Sequence, residues 1–180
     1  MLQEQIKVLI ERSRSGDKKA FEKLVIEFQT TVFRLAFRIL CNEDEAKDIV
    51  QETFIKVWLN LDKYRAQYSF VTWIYKIVCN LCYDSLRKIN YRFETIHDDF
   101  HQVSADDVEQ SIINNDLKSL IIMFTKQLTP KQKLVFTLSE IEELSVEEIE
   151  LITGLSPEKI KSNLYLAKKQ IKEKMNKINT

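Results

Sequence analysis

Two glycines and two prolines in 180 residues leave this chain almost nothing with which to interrupt a helix. In a helix interior glycine costs about 1 kcal/mol and proline about 3 kcal/mol relative to alanine. The apolar residues recur at three and four rather than at two, the repeat of a helix with one buried face. The chain is therefore expected to be all-α, with no sheet. Hydrophobic residues make up 44% and charged residues 30%, a globular composition able to fill a core. No apolar run approaches the ~20 residues of a membrane span. The opening MLQEQIKVLIERSRSGD carries acids and arginines where a signal peptide would be apolar. A soluble cytoplasmic protein without membrane insertion is expected.

The formal net charge of zero averages over unlike segments. Residues 1–92 hold sixteen Lys/Arg against twelve Asp/Glu, residues 93–116 none against seven, and residues 117–180 eleven against eight. Two mildly basic blocks thus flank the acidic stretch FETIHDDFHQVSADDVEQSIINND, which lacks a sustained apolar stripe. This predicts two small helical domains, 1–92 and 117–180, joined by an acidic linker over 93–116. Self-repulsion should keep that linker extended and away from DNA phosphates, although a plain solvated tether has the same composition.

In the first block Phe21, Leu24, Val25, Phe28, Val32, Leu35, Ala36 and Ile39 trace one helix face, and Ala46, Ile49, Val50, Phe54, Val57 and Leu61 another. Asn42 is placed to cap the second. A third helix is expected from about Ser69 to about Lys88, burying Phe70, Trp73, Ile74, Ile77 and Leu81. In the last block a helix at about 116–127 should be followed by three short ones. Thr129–Gln132 and Ser145–Glu148 fit capping boxes, and Ser156-Pro157 offers an N-cap with proline behind it. Thr153-Gly154-Leu155 is a tight turn of the helix-turn-helix kind, and also of any ordinary helical corner.

Metal and thiol chemistry find little support. Cys79 and Cys82 form a CxxC inside a helical pattern rather than at a strand-to-helix turn, and the three cysteines read as reduced, with these two small and buried. His97 and His101 stand four apart beside Asp98 and Asp99 but lack further ligands. No cofactor, metal or catalytic residue is expected.

The stretch YRAQYSFVTWIYKIVCN has more rings than one helix face can bury. Tyr64, Arg65 and Tyr68 fall in a loop, and on the helix behind it Thr72, Lys76, Asn80, Tyr83 and Arg87 lie within an arc of about 80°. Rings stack on unpaired bases for ~1–3 kcal/mol each while cations follow the phosphates. Alternatively, Tyr64 and Tyr68 close the bundle. On the helix from Asp44 to Asn60, Asp48, Gln51, Glu52 and Ile55 form a stripe off the core, an apolar residue among acids. In the last helix Ile160, Leu164, Ala167 and Ile171 point inward and Glu158, Lys161, Ser162, Tyr165, Lys169 and Lys172 outward, amid seven lysines against one acid between 159 and 177. That charge suits a phosphate-facing surface or a helix kept soluble.

At this point the residues resemble a family. FEKLVIEFQTTVFRLAFRIL, EDEAKDIVQETFIKVWLNLDKYRA, YSFVTWIYKIVCNLCYDSLRK and LTPKQKLVFTLSEIEELSVEEIELITGLSPEKIKSNLYLAKKQI are together similar, from about residue 16 to 173, to the two conserved domains of a bacterial RNA polymerase sigma factor of the extracytoplasmic-function, sigma-70-like type. The resemblance implies a promoter-specificity subunit that binds core RNA polymerase and melts the minus-ten element, with an anti-sigma factor as a further partner. It assigns polymerase binding to Asp48, Gln51, Glu52 and Ile55. Single-stranded minus-ten DNA is assigned to Tyr64, Arg65, Tyr68, Phe70, Lys76, Asn80, Tyr83 and Arg87, with Phe70 and Trp73 shared with the core. Duplex minus-thirty-five DNA is assigned to Glu158, Lys159, Lys161, Ser162, Tyr165, Lys168 and Lys169. Where the family commonly has recognition-helix arginines this chain has Asn163, Leu166 and Lys168, and Glu150 replaces a packing alanine. Ala66 and Val71 stand where glycine and arginine are common. Two rivals remain: a helix-turn-helix regulator of duplex DNA, and a sigma-like adaptor that binds protein only.

Overall fold

A computed structural model describes residues 3–96, 124–125 and 127–178. Among these residues there are seven α-helices and no strand. The chain divides into two units, one of Met1–Cys82 with Leu151–Thr153 and one of Tyr83–Glu150 with Gly154–Thr180, and each is described by itself.

The N-terminal body contains α1 (Gln3–Arg14), α2 (Lys18–Leu40), α3 (Glu43–Asn60), a 3-10 turn (Leu61–Lys63) and, as far as Cys82, α4 (Phe70–Ile96). Side chains start the helices. Asp17 accepts from Lys19 N at 3.0 Å and Ala20 N at 3.1 Å, and Asn42 from Asp44 N at 3.0 Å and Glu45 N at 3.1 Å, satisfying amides that a helix N-terminus leaves without partners. The expected cap at Asn42 is present, while α1 and its link to Asp17 went unread in the sequence. Leu24, Val32, Leu35, Ala36 and Ile39 of α2, Ala46 and Val57 of α3, and Ile74, Val78 and Cys82 of α4 are fully buried. Each large aliphatic residue among them contributes about 1.5–3 kcal/mol by leaving water.

The fourth helix corrects two expectations. It continues past Lys88 to Ile96, into the stretch assigned to the acidic linker, because no glycine or proline occurs between Phe70 and Thr129 to stop it. Its buried face is also wider than the residues expected: Tyr75 and Val78 join Phe70, Ile74 and Leu81 and the two cysteines expected to be buried, Cys79 and Cys82, while Trp73 and Ile77 are only half-buried. Residues 97–116 of the expected linker, with His97 and His101, lie outside the described residues, as does most of the helix expected at 116–127.

The C-terminal body contains α5 (Pro130–Phe136), which runs on as a π-helical turn (Thr137–Ile141), then α6 (Val146–Thr153) and α7 (Pro157–Ile178). Both capping boxes form: Thr129 and Gln132, and Ser145 and Glu148, each exchange side-chain and backbone bonds. Gly154 ends α6 at φ 69°, ψ 10°, its N–H reaching Glu150 O at 2.8 Å. This left-handed conformation is one glycine adopts without a Cβ penalty. Leu134, Val135, Leu138, Ile149, Ile160 and Ala167 are its buried apolar residues. The last helix is not short. It spans 22 residues, since nothing after Pro157 breaks it. Glu150 is exposed, so its carboxylate does not enter the core.

Candidate nucleic-acid interface

Between α3 and α4 the chain turns through residues 61–69, and the rings there divide into two kinds. Tyr64 is only 8% exposed; its ring meets Phe70 edge-on at 5.3 Å and Trp73 at 5.5 Å, and its hydroxyl donates to Tyr68 O at 2.9 Å. Burial pushes that hydroxyl's pKa up. Phe70 in turn packs on Phe28 at 5.3 Å. Tyr64 and Phe70, both expected in the base pocket, are therefore core residues in the free chain. The bundle-closing alternative describes Tyr64, though not Tyr68. Tyr68 is 50% exposed and is the ring of this loop offered to solvent.

Ser69 Oγ accepts from Thr72 N at 3.1 Å and so opens α4. Along that helix Lys76, Asn80 and Arg87 are exposed and Tyr83 half-buried, on one face by their spacing of four, three and four. Arg87 stands over the Tyr83 ring at 5.8 Å, a cation on an aromatic face. Arg65 is exposed but folds back, Nη1 donating to Asp62 O at 2.6 Å. The loop and stripe together offer one free ring, several cations and an amide, a set able to stack, neutralise and hydrogen-bond single-stranded nucleic acid.

On α3, Asp48, Gln51, Glu52 and Ile55 are all exposed. Glu52 pairs with Lys56 at 3.5 Å. Ile55 is 59% exposed and Leu59, one turn on, 71%. Trp58 lies at the edge of this patch with its ring 4.8 Å from Phe21. Sequence reasoning missed Leu59 and Trp58; the available signal was an apolar pair, Ile55 and Leu59, spaced i,i+4 away from the buried Thr53, Phe54 and Val57. Scattered apolar residues are normal on a surface, but two large ones on adjacent turns of an acidic helix form a patch.

On α7 Ile160 and Ala167 are buried and Leu164 and Ile171 half-buried, leaving Glu158, Lys159, Lys161, Ser162, Tyr165, Lys168, Lys169 and Lys172 exposed. Tyr165 is 67% exposed and Leu166 accompanies it. Lys168 is not free: Nζ lies 2.9 Å from Glu140 Oε2 on the π-helical turn, and Ser139 Oγ donates to the other oxygen at 3.0 Å. These bonds, Lys168 first, hold the Glu140 carboxyl below its ordinary 4.5. Glu158 is also held low, by its own backbone N–H, the Ser156 hydroxyl and Lys161.

The depressed carboxyls give a signed expectation. Glu140, and Asp17 held below 3.8 by the Ala20 N–H and Arg12, favour the folded state fully above those ordinary values and lose that contribution as pH falls through the lower folded ones. Thermal melts between about pH 6 and about pH 3 should therefore fall less steeply for Glu140→Gln combined with Asp17→Asn, which still caps, than for the wild type.

Cys79 and Cys82 are buried on α4, and burial pushes the Cys82 thiol up, away from the thiolate that redox or metal chemistry needs. Among the described residues no three His, Cys, Asp or Glu cluster as metal ligands, and no helix is long and apolar enough to cross a membrane.

Two family models match in succession: Sigma-70 region 2 over residues 24–92 and Sigma-70, region 4 over residues 120–171. The chain is 29% identical to the extracytoplasmic-function RNA polymerase sigma factor SigW of Bacillus subtilis, over 94% of this chain and 96% of that protein. It is 29% identical to the sigma-E factor of Escherichia coli K12, over 93% of each. The chain is an extracytoplasmic-function RNA polymerase sigma factor.

Solved structures agree in fold. A sigma factor RpoE crystallised with the anti-sigma factor NepR from Bartonella quintana matches at TM-score 0.66 and 20% identity, over 88% of this chain and 98% of that one. CnrH, solved with the cytosolic domain of CnrY, matches at TM-score 0.68 and 20% identity, over 96% and 97%. In this sigma factor the region 2 match begins within α2 and takes in α3, the 61–69 loop and most of α4, so α1 lies wholly outside it. The region 4 match ends at residue 171, so the last seven residues of α7 lie outside it.

Proposed function

We propose that this sigma factor divides promoter recognition between its two bodies and contributes no catalytic group of its own, lending base recognition to a polymerase that performs the chemistry. The α3 patch of Asp48, Gln51, Glu52 and Ile55, widened by Leu59 and Trp58, docks on core RNA polymerase. Tyr68 and Arg65 of the loop, with Lys76, Asn80, Tyr83 and Arg87 of α4, take the melted minus-ten strand. Extracting a base costs a few kcal/mol, which a stacking ring and a nearby amide offset. Tyr64 and Phe70 act from behind, as the floor that holds the loop. The observation that carries this reading is the separation of rings at one loop, Tyr64 and Phe70 buried and Tyr68 exposed beside a continuous basic and amide face.

The duplex minus-thirty-five element falls to Lys159, Lys161, Ser162, Tyr165 and Lys169 of α7, with Glu158 as an acceptor able to take a cytosine amino group. Lysine contacts phosphate as a point charge and lacks the bidentate guanine fork of arginine, so duplex binding should be dominated by phosphates. Lys168 joins them only by releasing Glu140. The domains are 1–92 and 117–180 with the acidic segment between, and the protein works in the cytoplasm. An anti-sigma factor restrains it, as the complexes of its structural neighbours suggest.

With core polymerase present, the full chain should bind a single strand chosen by selection from a random pool more tightly than the same sequence as duplex, with Tyr68→Ala and Asn80→Ala each weakening the single-strand arm. Equal or tighter binding of the duplex, unchanged by Tyr68→Ala, supports the ordinary helix-turn-helix regulator instead.

A further inference from the structure

The loop that carries Tyr68 and Arg65 is held by a residue from outside the region 2 match. The α3 helix has no basic residue in its last turn, and it runs through the 3-10 turn Leu61–Lys63 into the loop, where Leu61 O accepts from Tyr64 N–H at 3.1 Å and the carbonyls keep lone pairs for side-chain donors. Arg14, the last residue of α1, supplies donors to them. Its Nε donates to Leu61 O at 3.2 Å and its Nη2 to Tyr64 O, while Nη1 donates to Glu11 at 2.7 Å. The guanidinium also stands 6.0 Å from the centre of the buried Tyr64 ring. Arg65 reaches the same Tyr64 carbonyl at 3.3 Å from the loop side.

We propose that Arg14 is a positioning residue for single-strand capture: its planar fork fixes the backbone at Leu61 and Tyr64, and through it the orientation of Tyr68 and Arg65. The inference rests on the reading of this loop as the minus-ten site. Three observations on the α1 side support it. Leu9 and Ile10 are buried, which seats α1. Arg12 grips Asp17, the α2 cap, at 2.6 Å, which fixes the end of α1 from which Arg14 projects. Glu11 orients the fork itself. A loop without regular structure must lose conformational freedom when it binds, and a loop already pinned loses less. Two carbonyls spanned by one guanidinium need a fork; a lysine at this position reaches them with a single ammonium.

The test uses the full chain bound to core polymerase, with the single strand that the wild type selects from a random pool as probe. Arg14→Gln is expected to weaken that strand about tenfold, Arg14→Lys by an intermediate factor, and neither should change binding of duplex DNA or of polymerase. In the free chain, hydrogen exchange should accelerate at the 61–69 amides in Arg14→Gln and stay unchanged in α2 and in the buried half of α4. Full single-strand affinity in Arg14→Gln overturns the proposal. So does a loss shared by polymerase binding and accompanied by faster exchange throughout α2, because that describes a folding residue. Arg14→Lys as weak as Arg14→Gln assigns the whole effect to the fork and supports the proposal, whereas Arg14→Lys equal to wild type removes the role of the fork and overturns the mechanism as stated. A wild type that enriches no strand overturns the minus-ten reading itself, and the proposal with it.

Discussion

Phe70→Ala should lower the stability of the protein by about 3–5 kcal/mol, the cost of truncating a buried phenylalanine. Its ring touches Phe28 at 5.3 Å, Tyr64 at 5.3 Å and Trp73 at 5.7 Å, so the cavity opens among α2, the loop and α4 together. Tyr68→Ala, two residues before Phe70 and outside that cluster, should leave the unfolding midpoint within the small range of surface substitutions and cost single-strand binding ~1–3 kcal/mol. Chemical denaturation beside single-strand titration separates the two. Both variants lose DNA binding in a crude assay, but only Phe70→Ala loses it by unfolding. A stable Phe70→Ala would mean that the ring cluster is not the floor of the loop.

The second large effect is expected on α3. Asp48→Lys with Glu52→Lys reverses two exposed charges and removes the Glu52–Lys56 pair, whose surface position makes it worth about 0–1 kcal/mol. Adding Ile55→Ala and Leu59→Ala strips the exposed apolar pair. Helix content should persist, because none of the four side chains is buried. Association with core polymerase should weaken by at least about 2 kcal/mol, roughly thirtyfold, the scale on which central interface residues act. Circular dichroism alongside a polymerase pull-down reads both. Undiminished association places the polymerase contact elsewhere on the chain.

Much of this was legible in the sequence because each signal is local. Capping boxes at Thr129 and Ser145 need only residues three apart, and the glycine at 154 declares a left-handed turn without reference to anything distant. The stripe on α4 follows from helical geometry alone. What escaped depends on contacts across the sequence. Tyr64 looks like a surface ring until Phe70 and Trp73 close over it, and Arg14 lies 50 residues from the Tyr64 carbonyl it binds. The pairing of Lys168 with Glu140 likewise joins two elements whose charges, read in order, suggested only a basic helix. Leu59 was passed over for the opposite reason: leucine at a helical interval is ordinarily core, and only its 71% exposure sets it apart. The length of α4 is not legible from composition, because an acidic stretch does not stop a helix whereas a proline or glycine does.

In vitro transcription with purified core polymerase on promoter-bearing DNA fragments reads directly whether this chain directs initiation. Promoter direction by this sigma factor predicts that adding the chain makes core polymerase start RNA at defined positions on a subset of fragments. It further predicts that Tyr68→Ala suppresses those starts on closed duplex more than on templates already opened by mismatches, since a pre-melted strand no longer has to be extracted. Transcripts whose start sites and yields are the same with and without the chain would contradict it.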